Sequence, residues 1–268
     1  MPRSKSRAPS ELLFSVFALI IITIVVHSVY VTVVRPRAAV VLAEQRAAMQ
    51  KDPNFVAERS IHVIMKDWEQ EAVVILGLWA LTIIGYKSWQ VRRQRLLLER
   101  DLLAIPEGMR VLPEDVREYA RPLEALPPVD AQCLLPRALV TALYRFAAMR
   151  NVQDVSEAAR GVCEAEADRL DAELSNLRYI AWAIPAIGFI GTVRGIGDAL
   201  GQAHRAVTGD VSGVTEGLGT AFNSTLVALL ISIVLMFLLH QLQLAQERLV
   251  LDTEGYLDRR LIRHLQVR

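Results

Sequence analysis

Residues 12–34, 72–86, 179–193 and 218–239 of this chain contain no Asp, Glu, Lys or Arg. A bilayer core about 30 Å thick is crossed by roughly 20 apolar residues in a helix, and charge-free runs of this length exclude an ordinary soluble globule. Composition enters through what it removes. The 30 Lys plus Arg balance 29 Asp plus Glu to a formal charge of +1, which offers no global field for nucleic acid. Cys133 and Cys163 are the only cysteines, too few for a disulfide scaffold or a four-cysteine zinc site. With 53% hydrophobic residues and a mean hydropathy of +0.30, disorder is excluded for most of the chain. The expected fold is all-α: a polytopic membrane helix bundle of four transmembrane helices, with long helices extending into the cytoplasm.

The blocks divide the chain. Residues 1–34 read as a tail carrying Arg3, Lys5 and Arg7 followed by span one. That span is longer than the roughly 7–15 residues of a signal-peptide apolar region, and no A-x-A site follows Val34, so it reads as a retained anchor. Residues 35–71 read as a helical connector broken at Asp52-Pro53-Asn54. Span two, 72–89, carries Trp79, Tyr86 and Trp89, aromatics suited to interfaces, and Lys87, which can snorkel. Residues 90–178 form the sizeable soluble part, interrupted by Pro106, Pro113, Pro122, Pro127, Pro128 and Pro136. Helical patterns follow over 137–149 and 152–178, and the second runs into span three, 179–200, with no Pro or Gly between Glu164 and Ile184. A loop at 201–217, span four at 218–239 and a C-terminal helix at 240–268 complete the order. Lys87, Arg92, Arg93, Arg95 and Arg100 follow span two, whereas loop 201–217 carries Arg205 as its single Lys or Arg. The positive-inside rule then makes 90–178 and both termini cytoplasmic, and 35–71 and 201–217 periplasmic.

No motif for catalysis is present: no G-x-S-x-G, H-E-x-x-H, P-loop or C-x-x-C. The chain therefore reads as a non-enzyme, with no cofactor and no metal site expected. Of five scattered histidines, His27 lies inside span one, and a structural hydrogen bond is the commoner role for a histidine with no partner in its own span. Spans three and four carry the distinctive pattern. Gly188, Gly191 and Gly195, with Pro185, read as a helix-packing set. Thr192, Asn223, Ser224 and Thr225 either bond across helices or line a hydrated ion path. Neither span has a carboxylate in its middle. Arg194 and Asp198, spaced as an i,i+4 pair, read as a pore mouth whose charges neutralise each other. A titrating group for such a path has to come from another polypeptide.

The run AIPAIGFIGTVRGIGDAL, followed after a short loop by GVTEGLGTAFNSTLVALLISIVLMFLLHQ, resembles the final paired spans of the MotA, TolQ and ExbB proton channel family, whose core reads G-x-x-G-T-V-x-G. The resemblance covers about residues 165 to 245 and is closest to ExbB and TolQ, with an extra N-terminal span. It implies a bacterial inner-membrane subunit forming a homopentamer around an ExbD/TolR-like single-span partner. The partner supplies an Asp, and proton motive force becomes mechanical work in the envelope. Carried over by position, Thr192 and Thr225 match the family threonines that face that Asp.

Two positions and the number of spans depart from the family. Arg194 stands where many relatives have Trp or another neutral residue, and Thr220 where ExbB-like members carry Glu. Two spans, not one, precede the cytoplasmic part. The alternative from a different class is a membrane scaffold whose small-residue helices pack with no ion pathway.

Overall fold

A helix satisfies every backbone donor and acceptor within its own segment, which lipid demands, and each charge-free stretch of this chain lies within helical structure. The computed structural model describes residues 8–51, 60–106 and 109–266. Its helices are α1 (Ala8–Val29), α2 (Arg35–Lys51), α3 (Ile61–Ile64), α4 (Trp68–Leu98), α5 (Val116–Glu124), α6 (Pro128–Ala131), α7 (Leu134–Met149), α8 (Val152–Gly201), α9 (Ala203–Val207) and α10 (Ser212–Arg260). Among the described residues there is no strand, only an isolated bridge between Val111 and Leu265. Four helices among them are long and apolar enough to cross a membrane.

Helix ends and charge boundaries do not coincide. A π turn at Tyr30–Val34 carries α1 directly into α2, so helical structure runs on past residue 34. Charge beginning at Arg35 marks where an apolar run ends; it does not end a helix. Similarly, α4 starts at Trp68 and takes Glu69 and Glu71 into its first turn, where the helix dipole favours carboxylates. The expected break at Asp52-Pro53-Asn54 lies outside the described residues. The expected run from the soluble part into span three is observed as the single helix α8.

The described residues form two compact units, those of Met1–Ile84 with Asn176–Leu239 and those of Gly85–Ser175 with His240–Arg268. In the second unit the core is built from α5, α7, the first half of α8 and the end of α10. Leu123, Leu139, Leu143, Phe146, Leu257 and Leu261 are almost completely buried there. Arg150, in the left-handed region at φ 51°, ends α7 and turns the chain into α8. Ion pairs hold several of the polar groups there. Lys87 donates to Glu173 at 2.6 Å, and buried Glu166 receives Arg137 and Arg169 at 3.3 and 2.8 Å. Burial also pushes the Cys163 thiol up to about 12, with Glu254 and Glu166 adding to the shift. A thiol so rarely ionised is a poor nucleophile. Cys163 is expected to stay unalkylated by iodoacetamide at pH 8 in the folded protein and to react once denaturant is added, as peptide mapping by mass spectrometry will show.

In the first unit, α8 and α10 meet along two stripes of small residues. Gly188, Gly191 and Gly195 on α8 recur on one helix face and lie against Gly217, Ala221, Ser224 and Ala228 on α10. A Cβ built on Gly195 would stand 2.5 Å from the Ala221 nitrogen and 2.6 Å from the Gly217 oxygen. The glycines are thus what lets the two backbones touch. Pro185, half-buried in α8, lacks the N–H that would bond the Ala181 carbonyl. Ser232 of α10 donates to that carbonyl at 3.3 Å, so the neighbouring helix satisfies it.

The outward faces are apolar. Leu12, Phe17 and Ile24 on α1, Phe189 and Val193 on α8, and Phe222, Ile233 and Phe237 on α10 are all exposed. Faces of this extent have no stable place in water, and with the span-length helices they make this a membrane protein.

Candidate functional site

Within the first unit, the face on which α8 meets α10 also brings their hydroxyls together. Thr192 lies beside Gly191 and Thr225 beside Ser224, and the Thr192 and Thr225 hydroxyls bond to each other. Further bonding geometry surrounds them. Thr192 Oγ1 stands 3.3 Å from the Gly188 carbonyl and 3.2 Å from that of Ala221, and Thr225 Oγ1 stands 3.2 Å from the Gly188 carbonyl. Each hydroxyl has one proton to donate, so these contacts cannot all be made at once. In one arrangement Thr192 donates to the Ala221 or the Gly188 carbonyl and accepts from Thr225; in the other Thr225 donates to Gly188 and accepts from Thr192. Rotation of two C–O bonds interconverts them without ionising either group.

Ser224 is buried and serves a different contact. Its hydroxyl donates to the Thr220 carbonyl at 2.9 Å and accepts from Gln70 Nε2 at 3.3 Å. Gln70 is itself buried at the start of α4, and its Nε2 also donates to the Ile64 carbonyl at 3.0 Å. The Gln70 Oε1 is buried with no hydrogen-bond partner among the described residues. Asn223, half-buried, takes no part in these bonds.

The expected i,i+4 contact of Arg194 with Asp198 is present, and the structure adds nearer partners. The carboxylate nearest to Arg194 is not Asp198 but Glu69, which receives Nε at 2.6 Å and Nη2 at 2.9 Å. Asp67 lies 3.4 Å from Nη2, and Asp198, 62% exposed, lies 3.7 Å from Nη1. The i,i+4 pair is therefore the longest and wettest of the three contacts. Glu69 is wholly buried, and a carboxylate withdrawn from water needs such a bidentate partner. Arg194 supplies it.

Two further ion-pair clusters involve the residues just before and within the first turn of α4. Glu71 accepts from Arg35 at 2.5 Å and bonds the His27 ring at 2.6 Å, so His27 has a partner, on another span. Lys66 donates to Glu216 at 3.1 Å, and Arg46 to the same carboxylate at 2.7 Å. Thr220 donates to Asp67 at 3.4 Å. Thus Asp67, Glu69, Gln70 and Glu71, none of which stood among the residues singled out from sequence, hold α4 against the pairing of α8 with α10 and against the α1–α2 helix. Three carboxylates and an amide just before an apolar run were the available signal, since such groups enter a span only with partners.

Residues 134–255, from the start of α7 through most of α10, match the family model of the MotA/TolQ/ExbB proton channel family. The matched stretch extends beyond the 165 to 245 of the motif resemblance and includes Thr192, Arg194 and Thr225. No curated protein and no solved structure matches the chain. The family match supports a proton-channel role for a membrane protein that acts with partners.

Proposed function

We propose, from the premise that residues 134–255 of this chain belong to the MotA/TolQ/ExbB proton channel family, that the protein is the larger subunit of an ExbB/TolQ-like channel in the bacterial inner membrane. It assembles as a homopentamer, with both termini in the cytoplasm, around an ExbD/TolR-like single-span partner. That partner supplies the titrating Asp, and the complex converts proton motive force into mechanical work in the envelope, protein transport included. One observation carries this reading: two threonine hydroxyls bonded to each other between α8 and α10, with two alternative proton arrangements and no carboxylate in the middle of either span. Hydroxyls can order water and relay hydrogen bonds along a path, but they do not take up a proton at neutral pH. The group that does so is assigned to the partner.

The test is isolation of the tagged protein from its native membrane and reconstitution of the isolate into vesicles. The channel reading expects a short single-span protein with an Asp in its span in stoichiometric amount, and proton uptake down an imposed gradient. A stable assembly that passes no protons would establish the alternative, a membrane scaffold with no ion pathway.

A further inference from the structure

We propose that the parts of α8 and α10 in the second unit carry the two halves of a contact between copies of this chain: an acidic face of α8 on one copy docks on a basic face of α10 on the next. The inference rests on the homopentamer proposed above and names the surfaces that join it. On α8, Glu157, Glu164, Ala165 and Asp168 are exposed, on the helix side opposite the buried Ala159, Cys163 and Leu170. On α10, Arg248, Leu251 and Arg259 are exposed, opposite the buried Thr253 and Leu257. The ion pairs of this unit engage other side chains, Glu166, Glu173 and Asp258 among them, and none of these five face charges forms one among the described residues. Glu164 and Asp168, four residues apart on one helix, repel each other within a single copy.

The two helices run antiparallel in this unit, and their mutual register fixes the heights of these charges. Ala167, Leu170 and Leu174 line one small cavity with Gln243, Gln246 and Val250. Further along, Cys163 lies in the field of Glu254, and Val155 and Ala159 share the core with Leu257 and Leu261. In that register Asp168 stands level with Arg248, Ala165 with Leu251, and Glu157 with Arg259. Copies related by rotation about an axis parallel to these helices meet at equal heights. Asp168 and Glu157 of one copy then arrive opposite arginines of the next, and Leu251, 64% exposed, arrives on the small side chain of Ala165. Glu164 falls level with Asp252, a like pair flanked by Arg160 and Arg248 one turn away on each helix. Complementary charge of this kind sets register and rejects wrong pairings more than it adds affinity. A contact of α8 with α8 would press acid on acid, so the pattern selects two different faces per copy, the arrangement from which rings are built.

The experiment co-expresses two differently tagged full-length chains, one with Ala165→Cys and the other with Leu251→Cys, and treats the native membranes with a short bis-maleimide. Cys133 and Cys163 stay in place because both are buried. Products are read on denaturing gels, and assembly by size-exclusion chromatography of the solubilised complex. A cross-linked dimer carrying both tags is expected, and none from either variant expressed alone. Adding Arg248→Glu and Arg259→Glu to the Leu251→Cys chain is expected to lower the mixed product roughly fivefold or more. Adding Glu157→Arg and Asp168→Arg to the Ala165→Cys chain as well is expected to restore it to within about twofold, the non-additivity that marks a direct contact. An assembled complex that gives no mixed product would overturn the proposal, as would same-tag dimers from either variant alone or a yield that the reversals leave unchanged. Should the reversed chains fail to accumulate, salt decides with the unreversed pair: a yield that falls between about 50 and 500 mM NaCl supports the charged contact, and a constant yield refutes it. Elution of the wild-type chain as a monomer would defeat the homopentamer itself, a result that the elution volume sets apart from all of these.

Discussion

Replacing Thr192 and Thr225 together by alanine is expected to cut proton flux roughly tenfold to a hundredfold while leaving the complex assembled. The two effects differ in size for a physical reason. Hydroxyl bonds between membrane helices stabilise by about 0.6 kcal/mol each and rarely more than 1–2, and the glycine contacts between α8 and α10 remain after both are lost. Conduction depends on the hydroxyls more steeply. Losing two hydrogen-bonding groups, each worth about 0.5–1.5 kcal/mol, raises the barrier by about 1–3 kcal/mol, a drop in flux of roughly tenfold to a hundredfold. The double serine variant keeps both hydroxyls and is expected to conduct; the double valine variant keeps the shape without them and is expected to lose as much flux as the alanine pair. Proton flux in reconstituted vesicles, read beside the elution volume of the complex, separates these outcomes. Wild-type flux in the alanine pair would assign both threonines to helix–helix bonding alone.

The same contrast between local pattern and distant partner explains what could be read from sequence. The four charge-free stretches were legible because lipid imposes length and apolarity on every spanning helix, and α8 was legible as one helix because nothing between Glu164 and Ile184 interrupts it. Gly188, Gly191 and Gly195 announced a packing face through their spacing alone. Partners across the fold left no such trace. Proximity in sequence favoured Asp198 for Arg194, yet a buried carboxylate from α4 is the stronger partner because it has no water to fall back on. His27 showed no partner within its own span, since Glu71 is 44 residues away. Pro185 signalled that some neighbour must take the Ala181 carbonyl; that Ser232 does so follows only from the register of α10 on α8. Charge likewise marked where apolar runs end, and so missed the continuation of α1 through a π turn into α2.

Gly195→Leu is expected to be the most damaging single substitution in the α8–α10 interface. Its first side-chain carbon would sit 2.5 Å from the Ala221 nitrogen and 2.9 Å from the Ala221 Cα. Those are backbone atoms and no rotamer can relieve the clash, so the helices have to separate. Overpacking of this kind typically costs about 1–3 kcal/mol where side chains can adjust and more where they cannot. Separation would also part the Thr192 and Thr225 hydroxyls, three residues before and four after the two clashing positions, so stability and conduction should fall together. The control lies on the same helix. A Cβ on Gly161 meets nothing within 4 Å, and Gly161→Ala is expected to stabilise by about 0.4–1 kcal/mol through the unfolded chain's lost freedom. Thermal unfolding in detergent should therefore move in opposite directions for the two variants, with Gly195→Leu lower by roughly 5–10 °C. A Gly195→Leu protein as stable as wild type, with the hydroxyl-dependent flux intact, would mean that α8 and α10 do not meet through this face.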